Sequence, residues 1–287
     1  MNGILIVNKP LNYTSHDIVY KVKKITGMKV GHTGTLDPMA TGVLPLLIGK
    51  GTLCSKYLIN HDKIYNVKLQ LGTKTDTADS EGNIIEQKEI KEEMLSQNIV
   101  EKALNDFIGK QKQIPPIYSA IKVNGKKLYE YARKGEKVEI KPRQIEIYDI
   151  KLLRIDKENK QIEFCVKCSK GTYIRSLCED ISAKLDTVGY MIGLDRIQVG
   201  EFNIKQSISI EELENNKEII KDKIITVEEL FENLDKIELD KRKLELFLNG
   251  VQLSNSNIDG IYKIYSEEDF IGIGVVNNNL LKRDIII

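Results

Sequence analysis

The sequence predicts an α+β chain in which a large mixed domain is followed by a small, mostly β domain. Three observations carry this reading. Residues 63 to 73 alternate apolar and polar (KIYNVKLQLGT), the period of two expected of a strand with one buried face. Segments with helical spacing are interleaved with such runs through the first two hundred residues. From about residue 209 the texture changes to acidic, Asn-rich stretches (IEELENNKEIIKDK, VEELFENLDK), and short apolar runs close the chain.

In chain order, Ile4 to Val7 is a short apolar run ended by Asn-Lys-Pro, a first strand. Thr14-Ser15 caps a helix to about Ile25, with Val19, Val22 and Ile25 on one face. Residues 29 to 52 contain five glycines and a turn around Asp37. After the 63–73 strand, Glu92 to Ile108 has helical spacing at Met94, Ile99, Leu104 and Phe107. Strands are expected at 144–154 and 161–168, a helix at 172–185, and a strand and turn at 189–202. The segments after 209 read as helices or a linker, and Ile261–Tyr265, Phe270–Val276 and Asp284–Ile287 as β runs.

The chain has 287 residues, 41% hydrophobic and 30% charged, which fits a soluble globular protein with an ample core. No apolar run approaches the roughly 20 residues that cross a bilayer, and GILIV is too short for a signal-peptide core. The cytoplasm is the expected compartment. The four cysteines are expected as reduced thiols. Cys165 and Cys168 form a CxxC, but the run IEFCVKCS reads as a strand, on which positions three apart face opposite sides. With no second CxxC and all three histidines far upstream, no metal site is expected. LLIGKGT misses the spacing of a phosphate loop, and DTADSEG lacks two carboxylates of a calcium loop.

Net charge is only +1, yet residues 110 to 143 carry ten basic side chains against three acidic ones. Tyr118, Tyr129 and Tyr131 are interleaved with them. That mixture suits phosphate contact with base or sugar packing; a solvated surface segment is the alternative. Asp37, in GHTGTLDPMATG, is the sharpest candidate for chemistry. Between Val30 and Ile48 the only other ionisable side chain is His32. Asp37 is either a helix cap, with Pro38 at the first helical position, or a reactive carboxylate.

An ordered series of segments decides between these. GILIVNKPLNYTSHDIV, GHTGTLDPMATGVLPLLIGKGT, KIYNVKLQLGTKTDTADSEG, IPPIYSAIKVNGKKLYEYARKG and KGTYIRSLCEDI together resemble the TruB-type tRNA pseudouridine synthases over roughly residues 3 to 202. The resemblance implies the pseudouridine synthase fold, a central mixed or antiparallel sheet flanked by helices. It implies a catalytic domain over 1–235, with an RNA-gripping insertion at about 111–143, and a small PUA-like domain over 236–287. It implies isomerisation of a T-loop uridine of tRNA to pseudouridine without metal, nucleotide or redox cofactor, by a monomer needing no obligate protein partner.

The resemblance also assigns roles. Asp37 falls on the catalytic aspartate, Tyr65 on the tyrosine that packs against the target base, and Arg175 on the arginine that pairs with the aspartate. His32 falls on the histidine that helps hold the loop opened by base flipping, and Leu194 on an apolar pocket residue. Asp79 matches an acid near the RNA site. Lys9 and Tyr173 are placed with the substrate contacts, and Lys126, Lys127 and Arg133 with the RNA grip. Individually, Tyr65 could be a core residue, and Arg175 could pair with Glu179 at i, i+4. The chemistry itself requires these residue types. A stacked base must leave the stack, at a few kcal/mol, before its glycosidic bond is reached. A flipped ring needs a flat apolar partner, and a guanidinium favours an ionised carboxylate in a dry pocket. LDRIQVGEF departs from the family pattern: Asp195 replaces a basic residue and Ile197 a threonine, which is expected to alter the pocket rim. Two other readings are a guide-RNA-dependent synthase and a tRNA-binding or folding module without chemistry.

Overall fold

The computed structural model describes all residues from Met1 to Ile287. Its main sheet has eleven strands. The principal ones are β1 (Gly3–Lys9), β2 (Ala40–Ile48), β3 (Lys63–Leu71), β4 (Gly109–Gln113), β5 (Arg143–Asp156), β6 (Gln161–Cys168) and β7 (Gly189–Val199). Their order across the sheet is β1-β2-β7-β3-β6-β5-β4, and every principal pair is antiparallel except β2 with β7. The sheet is therefore mixed, as expected.

Helix α1 (Ser15–Thr26) begins as its sequence dictates. The Thr14 hydroxyl accepts from Asp17 N at 3.1 Å, and the Asp17 carboxylate accepts from Thr14 N at 2.8 Å. It stops at Gly27, whose φ of +67° suits the left-handed cap. Ile18, Val19 and Val22 bury against β1 and β2, at about 1.5–3 kcal/mol each. The expected helix over 92–108 is divided: a 3₁₀ turn (Glu92–Leu95), extended Ser96, then α2 (Gln97–Asn105). Helix α3 (Ile174–Lys184) lays Ile174, Leu177, Cys178 and Ile181 on the core that β3, β5 and β6 build.

Strand β2 was not expected, because Gly42 and Pro45 interrupt its pattern. Pro45 lies where β2 changes partner: β7 pairs with residues 40–42 and the short Val30–His32 strand with 46–48. Gly42 permits a close approach. A Cβ there would lie 2.3 Å from the Arg196 carbonyl oxygen, and its φ is +105°.

Beyond β7, Ile208–Ser209 and Ile225–Thr226 both pair with β1, so this acidic stretch belongs to the main sheet's edge. A second, five-stranded sheet contains β8 (Gly260–Ser266), β9 (Asp269–Asn277) and β10 (Leu280–Ile286). Ile273 and Ile285 from it join Ile4, Ile6, Val43 and Leu47 in one apolar cluster, and Asp284 accepts from Lys56 and Tyr57. No helix is long and apolar enough to cross a membrane. All four thiols are free, and Cys165 and Cys168 take opposite faces of β6, one half-buried and one in the core.

Candidate active site

The strand register brings the expected residues together. On β7, Leu194 pairs with Ala40 and Val67, and Arg196 with Gly42 and Tyr65. The loop carrying Asp37 leads into β2 directly above. Asp37 forms no helix cap. Ala40 N donates to Asp37 O at 3.0 Å, closing a turn with Pro38 at its second position. The turn is fixed on both sides. Asn12 N donates to Pro38 O at 2.9 Å. The Ser15 hydroxyl accepts from Leu36 N at 2.8 Å and donates to Leu36 O at 3.1 Å.

Arg175 organises the site. Its Nε lies 3.2 Å from Asp37 Oδ2 and its Nη1 3.2 Å from Asp79 Oδ2. Nη1 also donates to Thr77 O at 3.3 Å, and Nη2 to Tyr118 O at 2.9 Å. One buried guanidinium thus ties together the Asp37 turn, the 77–79 turn and the root of the insertion. Asp37 keeps 38% side-chain exposure against 5% for Asp79. Only the first is placed to meet a substrate. Glu179, the helical alternative for Arg175, instead pairs with Lys74 at 3.2 Å.

A cleft of about 680 Å³ opens over this centre. Asp37, Tyr65, Tyr173, Arg175 and Leu194 line it together, with Lys63, Arg143, Lys170 and Arg196. Five cations thus surround one carboxylate, a field that attracts a polyanion. Burial raises the Tyr65 phenol above its ordinary value and keeps it neutral, a flat partner for a base. Burial likewise lowers Lys63, with the nearby Arg196 charge adding to it. Gln113 clamps the start of α3 to the insertion, its amide donating to Tyr173 O at 3.0 Å and accepting from Tyr173 N at 2.8 Å.

Two expected RNA contacts are corrected. Lys9 is fully buried beneath the Asp37 turn, donating to Pro10 O at 2.9 Å, Tyr13 O at 2.6 Å and Pro38 O at 3.3 Å. Burial lowers its pKa to about 8, against the opposing pull of Asp37. It positions the turn and is closed to RNA. Asp79 is also buried, its second oxygen accepting from the Thr77 hydroxyl at 2.6 Å and Glu81 N at 3.1 Å. It is a partner of Arg175. His32 ends its short strand outside the cleft lining, half-buried, with its pKa lowered chiefly by burial. Lys126, Lys127 and Arg133 sit on the insertion, where Lys127 Nζ and Arg133 Cζ lie 5.3 and 5.2 Å from the Tyr129 ring centroid. Tyr129 itself reaches the cleft. Asp195 turns to the sheet's other face and accepts from the Thr41 hydroxyl at 2.9 Å, so it does not touch the rim.

Arg196 is the functional residue that sequence reasoning missed. It is only 1% exposed, with Nε on Val43 O at 2.8 Å and Nη2 on Gly34 O at 3.0 Å. Its charge also acts on the Tyr65 phenol, opposing the rise that burial causes. The signal was present: on a strand, a residue two positions after Leu194 shares its face.

The architecture has solved counterparts. An H/ACA ribonucleoprotein bound to a substrate RNA containing 2′-deoxyuridine superposes with a TM-score of 0.70 at 21% identity, over 99% of this chain and 85% of that one. A Cbf5-Nop10-Gar1 complex gives 0.69 at 22%, over 99% and 83%. Both share the fold of this chain over nearly its whole length. Sequence comparison is more specific. The model of the TruB family pseudouridylate synthase N-terminal domain matches residues 20–174, and that of the tRNA pseudouridylate synthase B C-terminal domain residues 175–240. The tRNA pseudouridine synthase B of Clostridium novyi (strain NT) is 46% identical over 290 residues, 98% of each chain. That of Clostridium tetani (strain Massachusetts / E88) is 43% identical over 281 residues, 96% of this chain and 95% of its own. The chain belongs to the TruB family of pseudouridylate synthases.

Proposed function

We infer that the protein isomerises a uridine of tRNA to pseudouridine, and that its target lies in the T loop. The observation that carries this is the Asp37 carboxylate, held by Arg175 at 3.2 Å beside the Tyr65 ring in a cation-lined cleft. The reaction breaks the bond from C1′ to uracil N1, turns the ring, and forms a bond from C1′ to C5. The C5 proton leaves to solvent and the freed N1 takes one up, so the product is an isomer of the substrate with no change of redox state. Asp37 acts as nucleophile at the sugar carbon or at the uracil ring, or as the base that removes the sugar 2′ proton. Arg175, 3.2 Å away, orients it. Tyr65 and Leu194 give the flipped ring flat apolar contact.

The cations of the cleft and insertion balance phosphate and offset the few kcal/mol of unstacking. We read residues 1–235 as the catalytic domain and 236–287 as a small PUA-like domain. We read the protein as a cytoplasmic monomer acting without a guide RNA or obligate partner. The insertion supports the stand-alone reading, because Arg175 ties its root to the catalytic turn. The test is incubation of the purified protein alone with a tRNA transcript, with pseudouridine located by carbodiimide adduct and reverse transcription. One T-loop product, lost when that uridine is changed to cytidine, supports the reading. No product, or product elsewhere, overturns it.

A further inference from the structure

The Ser119 hydroxyl has no part in the site so far. Ser119 is 5% exposed and lines the same cleft as Asp37, yet its Oγ meets no protein hydrogen-bond partner. Its backbone is satisfied: Ser119 N donates to Ile117 O at 3.0 Å, and its carbonyl accepts from Tyr129 N at 3.1 Å. The Tyr173 hydroxyl is its nearby polar neighbour, a loose contact that offsets part of the burial-driven rise of the Tyr173 phenol, and the pair falls outside hydrogen-bond geometry. A buried hydroxyl without a partner is costly, whereas alanine, present next door at Ala120, would carry no such cost.

Its place in the cleft restricts the partner. The preceding residue, Tyr118, gives its carbonyl to Arg175 Nη2 at 2.9 Å, and Arg175 Nε holds Asp37. Ser119 therefore shares the cleft with the carboxylate on which the isomerisation depends, next to the residue that holds Arg175. The charged donors Lys63, Arg143 and Lys170 suit phosphate, and Tyr65, Met191 and Leu194 suit the ring. A neutral group that both donates and accepts matches another hydroxyl. In RNA that hydroxyl is the 2′-OH, the group that distinguishes it from DNA.

We propose that Ser119 Oγ binds the 2′-hydroxyl of the flipped uridine, making Ser119 a substrate-binding residue that selects ribose over deoxyribose. This rests on the pseudouridine synthase reading above. The test is a binding cycle in an Asp37→Asn background, where turnover does not consume the RNA. Affinities are measured for T-stem-loop RNAs carrying either uridine or 2′-deoxyuridine at the target. With Ser119 present, the deoxy substitution should weaken binding about 3- to 10-fold, the range of one hydrogen bond. With Ser119→Ala the two RNAs should bind within about 2-fold of each other, because the hydrogen bond is already gone. Both RNAs meet the same protein in each arm, so any loss of stability cancels in the ratio. The same deoxy penalty with and without Ser119, or no penalty in either, overturns the proposal. Failure of the unmutated protein to bind or turn over tRNA would sink the functional reading instead.

Discussion

Arg175→Met separates the two carboxylates that this arginine serves. In the native site Asp79 is 5% exposed and lies 3.2 Å from Nη1. Methionine fills much of the arginine's volume but leaves the Asp79 charge buried without a counter-charge. Breaking a buried pair in this way costs about 3–5 kcal/mol. The Asp37 half adds only about 0–1 kcal/mol, because that carboxylate is 38% exposed and screened by solvent. Loss of the hydrogen bond to Tyr118 O adds about 1 kcal/mol. Urea unfolding at neutral pH reads the sum as a lower midpoint with an unchanged slope. The double variant Arg175→Met with Asp79→Asn removes the stranded charge and should recover at least half of the loss. A single variant within about 1 kcal/mol of wild type, or a double variant no better than the single, would refute the assignment of Asp79 as the buried partner.

Charge reversal of Lys126 and Lys127 to Glu should weaken tRNA binding strongly and flatten its salt dependence by about one to two phosphate contacts; an unchanged slope means the insertion does not touch phosphate. Lys9 gives a pH prediction. Its folded pKa, about 8, lies below its ordinary 10.5, so between those values the unfolded chain binds more protons. Stability from this site is therefore lowest below about pH 8 and rises toward pH 10.5. The stability difference between wild type and Lys9→Met should shift in favour of wild type over that window by about 2–3 kcal/mol; a flat difference would show that the buried ammonium is not strained. Asp37→Asn should abolish turnover with tRNA affinity within about 3-fold, since it removes charge and little volume; unfolding of that variant would make Asp37 a structural residue.

Much of this architecture was legible where one physical period dominates. Strands β3 and β6 begin and end close to their expected limits, because one face of each is buried along its whole length. Strand β2 was hidden because it is buried almost throughout and interrupted by Gly42 and Pro45, whose tolerance depends on partners far away in sequence. The ordered motifs located Asp37, Tyr65, Arg175, Tyr173 and Leu194, which the structure brings to one cleft. They could not distinguish a cation that touches RNA from one that supports a turn. Lys9 and Asp79 carry charges that normally mean exposure, and only tertiary packing shows them beneath the site. Arg196 was overlooked for the same reason: a buried arginine is uncommon, and its carbonyl partners Gly34 and Val43 lie more than 150 residues upstream. The ambiguity at Arg175 was geometric, because the i, i+4 pair with Glu179 and the pair with Asp37 are equally readable from spacing. Lys74 resolves it by taking Glu179.

The central claim is that Asp37 performs glycosidic isomerisation on tRNA. Tritium release from tRNA transcribed with 5-tritiated uridine tests it most directly, with wild type compared with Asp37→Ala. The account predicts release by wild type equivalent to one uridine per tRNA, and none by a folded Asp37→Ala variant that still binds tRNA. Release by both proteins, or by neither while wild type binds tRNA, would contradict it.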